Sequence, residues 1–391
     1  MWPSSATMGV RWLHTGVAIV ALAVIVGVLV LPRGQEETIT PTMDGIEVGA
    51  TPWVTVTTSM LDGGEVRYVV PPDEILPGGP PKDGIPSIDS PSFIGADEAD
   101  FLRSEELVVG IYYGGVAKAY PHRILVWHEI VNDVVADEPI AVTYCPLCYT
   151  ATAFRRIVGG EVTTFGVSGK LYNSDLVMYD RLTDTYWSQH LGLGIYGRMA
   201  GVVLERIQVD VITWSRWREL HPDTLVLSTE TGFSRPYGRD PYSPYGYYRS
   251  RDIWFPVKNL DDRLHPKAIL HGVVIDGVAK VYEQRSIARV RVLNDEVAGQ
   301  PVLIVSPFEQ YVRAYSRKLG EALLEFSWED GRLVDMQTNS IWDVEDGEAV
   351  SGPLKGSKLS QIVVYPAFWF AWSAFYPGVE LYYDGGDPAF Q

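Results

Sequence analysis

The 391-residue chain repeats itself, and that repetition limits its fold more than any other feature. Residues 115–120 (GVAKAY) recur as 277–282 (GVAKVY), 162 positions on, and the same spacing carries Asn132 and Asp133 onto Asn294 and Asp295, and Pro139 onto Pro301. Further along the spacing falls to 155, matching Trp187 with Trp342, Leu204 with Leu359, Ile207 with Ile362, Trp214 with Trp369, Trp217 with Trp372 and Pro222 with Pro377. The second copy has lost about seven residues between the two registers.

Within each copy, short β-branched and aromatic runs are broken by Gly-Gly and Asp-Gly pairs, as at 108–113, Gly114 and Gly115, then 116–120. That is the pattern of strands joined by hairpins. Trp214 and Trp217, like Trp369 and Trp372, stand three apart on one helical face and read as core. The expected fold class is α+β, mainly β: two fused pseudo-repeats of β-hairpins, each closed by a short helix, preceded by an N-terminal transmembrane helix. The segments are a stub and anchor over 1–33, a Pro/Gly-rich stalk or wrapping segment over 34–81, a first repeat over 82–228, a Tyr-rich connector over 229–269, and a second repeat over 270–391.

Duplication supplies an internal control. Positions needed for folding persist in both copies, whereas positions needed for chemistry persist in only one. At the 162 spacing Cys145 becomes Pro307, Cys148 becomes Gln310 and His128 becomes Val290, so three reactive residues vanish together. His221 becomes Tyr376, and its place before Pro222 suits a helix C-terminal cap as well as a functional role. The first copy is the candidate for activity and the second is its scaffold.

Cys145 and Cys148 are the only cysteines, so the chain has no disulfide framework. They sit in a CPLC loop between two strand-like runs. Thioredoxin-type pairs lower a thiol pKa with the start of a following helix, and no helical pattern follows Cys148. A loop between strands instead suits a metal knuckle. Strands over 129–135 and 139–144, joined by a turn at 136–138, place His128 opposite 146–148. The catalytic candidates are therefore Cys145, Cys148 and His128. The metal-ligand set is Cys145, Cys148 and His128 with His190, while Met178 and His122 compete for the fourth place. Two thiolates and an imidazole suit copper or zinc. Thiol–disulfide exchange stays open, because a disulfide across two residues is strained and exchangeable; so does an inert staple. A non-catalytic binding module, with its contact surface near Tyr245, is the third reading.

A net charge of −17 repels polyanions and excludes a nucleic-acid role. Residues 12–31 are uninterrupted by Asp, Glu, Lys or Arg and would span roughly 30 Å as a helix, the thickness of a bilayer core. Val30, Leu31, Pro32 and Arg33 offer no small-residue cleavage site, so an anchor is expected in place of a cleaved signal. A single N-terminal span places the acidic remainder outside the cytoplasm. The expected partners are the membrane and an unnamed small-molecule or protein ligand. No phosphate-binding loop, nucleophile elbow or dinucleotide fingerprint occurs.

The segments DGIP (83–86), WHEIVND (127–133), TYCPLC (143–148), FGVSG (165–169), YNS (172–174), LVMYD (176–180) and WSQ (187–189) together resemble a prokaryotic family designated domain of unknown function 3179. The resemblance runs from about residue 82 to the end. It implies an extracytoplasmic, often membrane-tethered protein, with a steadier cysteine at the position of Cys145 than at that of Cys148. It also implies that Tyr149 replaces a frequent glycine and that His190 stands where other residues are usual. Tyr172, Asn173 and Asp180 belong to the same run and are candidates for hydrogen bonding behind an imidazole or ligand, with turn and strand pairing as their alternative duty.

Overall fold

Two-residue turns set the strand pairing. In the computed structural model, which describes residues 42–43, 46–47, 54–61 and 64–390, both residues of each turn at Gly114 and Gly115, Ala136 and Asp137, Asn173 and Ser174, Asp276 and Gly277, Ala298 and Gly299, and Asp330 and Gly331 have positive φ. Such turns match the right-handed twist of the strands they join and fix their register. Glu138, expected in a turn, is instead the first residue of its strand and pairs with Val135.

The described chain is mainly β with four seven-residue α-helices. One sheet has the order Asp210–Thr213, Leu107–Tyr113, Val116–Pro121, Leu225–Leu227 and Phe93–Gly95. Another has the order Val364–Phe368, Ile269–Ile275, Val278–Glu283 and Glu380–Tyr382, the same arrangement without the last strand. In both, the final shared pair is parallel. A second pair of sheets agrees likewise: Arg206–Ile207, Ala151–Arg155, Glu138–Tyr144 and Ile130–Val135 against Gln361–Ile362, Tyr311–Ser316, Gln300–Phe308 and Val292–Val297.

The helices α2 (Trp214–Leu220) and α4 (Trp369–Phe375) are the closing helices expected from the tryptophan spacing. The helices α1 (His122–His128) and α3 (Gln284–Val290) are additional. Both link sheet to sheet, and neither carries the paired tryptophans that mark α2 and α4 in the sequence.

Each closing helix is locked to its sheet by one contact. Trp217 fills the space beside Gly110, where a Cβ would lie 2.4 Å from the indole, and Trp372 does the same beside Gly272 at 2.1 Å. Both rings are fully buried. The halves are joined by a buried bidentate ion pair, with Arg313 Nη2 2.8 Å from Asp210 Oδ2. A core containing residues of both halves runs from Ile88 and Phe154 to Phe368 and Trp372.

Strands Thr57–Leu61, Gly64–Tyr68 and Leu76–Pro77 extend a sheet of the first half, so this part of 34–81 wraps the body. The expected membrane helix at 12–31 and stub before it lie outside the described residues. Among the described residues no helix is long and apolar enough to cross a membrane.

Gly110→Ala and Gly272→Ala should each cost about 1–3 kcal/mol of stability through overpacking against tryptophan. Urea unfolding midpoints check this. An unchanged midpoint in either variant would mean that the indole has room to withdraw.

Candidate functional site

The two cysteines lie where the chain turns from strand Glu138–Tyr144 into strand Ala151–Arg155. Cys145 N–H donates to Thr150 O at 3.0 Å and closes the loop. Tyr149 takes a left-handed φ of 61°, which glycine adopts without strain. Gln310 has the same conformation, φ 74°, in the second half, so Gln310 is the counterpart of Tyr149 and not of Cys148. No helix follows Cys148. Both thiols are free and buried.

Two outside groups hold this loop. Tyr247 O–H donates to Leu147 O at 2.7 Å, and Phe368 N–H donates to Cys148 O at 2.8 Å. The first comes from the Tyr-rich connector and the second from the junction between strand Val364–Phe368 and α4. Tyr247 is itself pinned by Lys267, whose Nζ lies 3.2 Å from the ring centroid and 2.8 Å from Asp252 O.

The third member of the site is Asp175. Its Oδ1 is 3.0 Å from Cys148 Sγ, and its Oδ2 accepts from His190 N–H at 2.9 Å. One donor atom each from Cys145, Cys148 and Asp175 lie within 4.8 Å of one another, all buried, and this group can hold a metal ion. Thr150 Oγ1 sits 3.1 Å from Cys148 Sγ and 3.0 Å from His190 Nδ1.

Asp175 escaped the sequence reading for a structural reason. The hairpin from Phe165 to Asp180 has 16 residues, whereas its counterpart from Phe326 to Asp335 has 10 and turns earlier, at Asp330 and Gly331. Most of the missing residues noticed between the two spacings are the hairpin tip that carries Asp175. The signal was present, but it pointed to a gap and not to a side chain.

His128 requires a correction. The two expected strands do pair, but one residue out of the expected register, with Tyr144 N–H donating to Glu129 O at 2.8 Å, and His128 ends helix α1 with its ring engaged elsewhere. Nδ1 lies 2.7 Å from Pro86 O and Nε2 lies 2.7 Å from Tyr237 O–H, so neither nitrogen is free for an ion. His190 stands behind the site. Its Nδ1 meets Thr150, its Nε2 has no hydrogen-bond partner among the described residues, and its ring lies among Tyr365, Trp372 and Phe375 of the second half.

The remaining candidates serve the fold. Asp180 accepts from Thr183 N–H, Thr185 N–H and Trp187 Nε1–H, a turn network that Asp335 repeats with Thr338, Ser340 and Trp342. Asn173 Oδ1 accepts from Lys258 N–H, and Tyr172 packs edge-on against Phe375. Met178 is buried core, and His122 packs edge-on against Tyr144.

Glu129 is a second residue missed. It follows α1 with a left-handed φ of 59° and is buried. Burial, then the charge of Asp175, pushes its carboxyl up to about 8. Burial likewise raises Asp175 to about 7, against the downward pull of hydrogen bonds from Cys148 and the backbone N–H groups of His190 and Leu176. Both thiols are raised by burial, Cys148 the further. His190 is held well below its ordinary value by burial and Arg206, so it stays neutral.

Raised carboxyls in the folded state stabilise the metal-free protein at low pH. That contribution is complete below about pH 4, the unfolded value, and is lost as pH rises through about 7 and about 8. Chelator-treated protein should therefore weaken steadily between pH 5 and pH 8.5. Glu129→Gln and Asp175→Asn should flatten this decline and exceed the parent in stability at the alkaline end. Urea midpoints across the range are the measurement, and parallel slopes for parent and variants would refute the assignment.

Residues 82–379 match the model of a family described as "Protein of unknown function (DUF3179)". No curated protein and no solved structure matches the chain.

Proposed function

The chain belongs to the DUF3179 family, and we propose that it binds one transition-metal ion through Cys145, Cys148 and Asp175. The observation that carries this reading is the convergence of three buried donor atoms within 4.8 Å. Burial raises both thiols and Asp175 and so disfavours their charged forms in the metal-free protein, and buried ligands of this kind ionise when a metal ion is present to pair with them. A bound metal ion would supply the positive charge that holds them ionised.

The donor set bears on the choice between copper and zinc. Two thiolates with a carboxylate in place of the expected imidazole favour a borderline divalent ion, and zinc moves ahead of copper. The chain's own residues do the rest. Asp175 is oriented by His190 N–H, Thr150 places its hydroxyl beside Cys148, and Tyr247 holds the loop through Leu147 O. The second pseudo-repeat acts as scaffold in this reading, contributing Phe368 N–H and the rings around His190. Membrane anchorage through 12–31 and an extracytoplasmic location complete it, supported by the apolar run and the acidic remainder.

A second reading rests on the 3.0 Å contact between Cys148 Sγ and Asp175 Oδ1. In it the dithiol reduces a disulfide: one S–S bond forms between Cys145 and Cys148, the substrate's S–S bond breaks, and two electrons and two protons pass to the substrate, with Asp175 relaying a proton. Burial of both sulfurs beneath Tyr247 ranks it second, because a thiol needs access to react.

Metal analysis of the purified full-length chain should find about one ion per molecule, lost in Cys145→Ser and Asp175→Asn but retained in His128→Ala. Affinity should fall as pH falls, because protons compete for the ligands. A folded protein that neither carries nor takes up zinc or copper would eliminate the reading. A readily reduced Cys145–Cys148 bond in such a protein would install the second.

A further inference from the structure

Two hollows meet at Phe390. The larger, about 550 Å³, has Arg123, Tyr149, Arg239, Asp240 and Phe390 in its walls, and the smaller, about 330 Å³, is lined by Arg249, Arg285 and Phe390. Both volumes fall within the range of small-molecule sites, roughly 300–1,000 Å³. Neither hollow is lined by Cys145, Cys148 or Asp175.

The fold holds the shared ring in place. Ile269 N–H donates to Ala389 O at 3.0 Å, and Ala389 N–H donates at 2.8 Å to Oε1 of Glu283, the residue that caps α3. Phe390 packs edge-on against His265, with ring centres 4.9 Å apart, and yet stays 36% exposed. It offers each hollow an apolar wall.

The charges around the hollows do not cancel. Five arginines, Arg103, Arg123, Arg239, Arg249 and Arg285, stand against three acids, Glu105, Glu106 and Asp240, an excess of two positive charges in a chain of net charge −17. The acids are already matched. Glu105 lies 2.9 Å from Arg103 Nε, Glu106 Oε1 accepts from Arg123 Nε–H at 3.0 Å, and Asp240 Oδ1 accepts Tyr242 N–H at 2.7 Å. Arg285 is engaged by Pro388 O at 3.2 Å and by Glu309 at 3.5 Å. The guanidiniums of Arg239 and Arg249 meet no hydrogen-bond or ion-pair partner among the described residues. One unmatched guanidinium therefore stands in each hollow, and its planar fork of donors suits a carboxylate or a phosphate.

We propose that this cleft binds a small organic oxyanion, a carboxylate or a phosphate ester on an apolar body, with Arg239 and Arg249 drawing in the charged group and Phe390 packing the body. Arg123 comes from α1, Arg239 and Arg249 from the connector, and Arg285 and Phe390 from the second half, so the cleft exists only in the assembled fold. It is separate from the thiols and does not rest on the metal reading.

Fluorescence titration of the full-length chain with anilinonaphthalene sulfonate tests the proposal, with phenylnaphthylamine, the same rings without the sulfonate, as the neutral control. Arg239→Gln combined with Arg249→Gln should weaken the sulfonate roughly tenfold, the loss expected for a charge-assisted hydrogen bond, and leave the neutral probe unchanged. Phe390→Ala should weaken both probes. All three positions are exposed, so the urea midpoint should not move. Displacement of the sulfonate by naphthyl phosphate, by naphthoate or by both supports the cleft and sorts the ester from the acid. Displacement by neither, or sulfonate affinity that is unmoved by the paired arginine substitutions or by Phe390→Ala, would overturn it.

Discussion

The contact between Trp372 and Gly272 is the constraint on which the site depends. With no side chain at 272, the indole seats against the sheet, and α4 is drawn onto strand Ile269–Ile275. The same indole meets His190 edge-on, with ring centres 4.7 Å apart. His190 in turn presents its N–H to Asp175 and its ring to Thr150. A glycine in one half thus fixes, through two aromatic rings, the carboxylate beside Cys148 in the other. Packing is dense enough in such interiors for a displacement at one end of the chain of contacts to reach the other.

The same exchange runs in both directions. Phe368 N–H, entering α4, reaches Cys148 O, while Thr213 N–H, entering α2, reaches Oε1 of Gln310. Each half therefore lends its helix entrance to the loop of the other. What differs is the filling. Where His190 lies among aromatic rings, its counterpart Glu345 lies 3.0 Å from His221 Nε2 and near Arg313, which pairs with Asp210. One cross-contact has become an ion-paired joint and the other surrounds the thiols. Removing one partner of a buried pair such as Asp210–Arg313 typically costs about 3–5 kcal/mol, because the other charge is left buried and unpaired.

Much of this was legible in the sequence, and the parts that were not have physical explanations. Repeated spacing reveals elements whose geometry is set locally, such as the two-residue turns and the tryptophan helices. It also marked Cys145 and Cys148 as singular. The pairing of strands Ile130–Val135 and Glu138–Tyr144 was legible, though one residue out of register, but a backbone register does not say where a side chain turns, and His128 turned to Pro86 and Tyr237. Asp175 was hidden because the comparison between copies has no partner for an inserted hairpin tip. Glu129 was hidden because its replacement by arginine reads as an ordinary surface change until the burial of the carboxylate is known. Helices α1 and α3, seven residues each, were missed because neither carries the paired tryptophans that marked α2 and α4.

The connector segment has a kinetic meaning beyond its hydrogen bond to Leu147. Tyr247 is fastened from below by the loop carbonyl and from above by the ammonium of Lys267, so the thiols have no standing route to solvent. Anything entering or leaving must wait for this strap to detach, an event whose frequency is governed by local unfolding and not by diffusion. The state of the two thiols then becomes a record of conditions when the chain folded, slow to be rewritten by the medium in which the protein later finds itself.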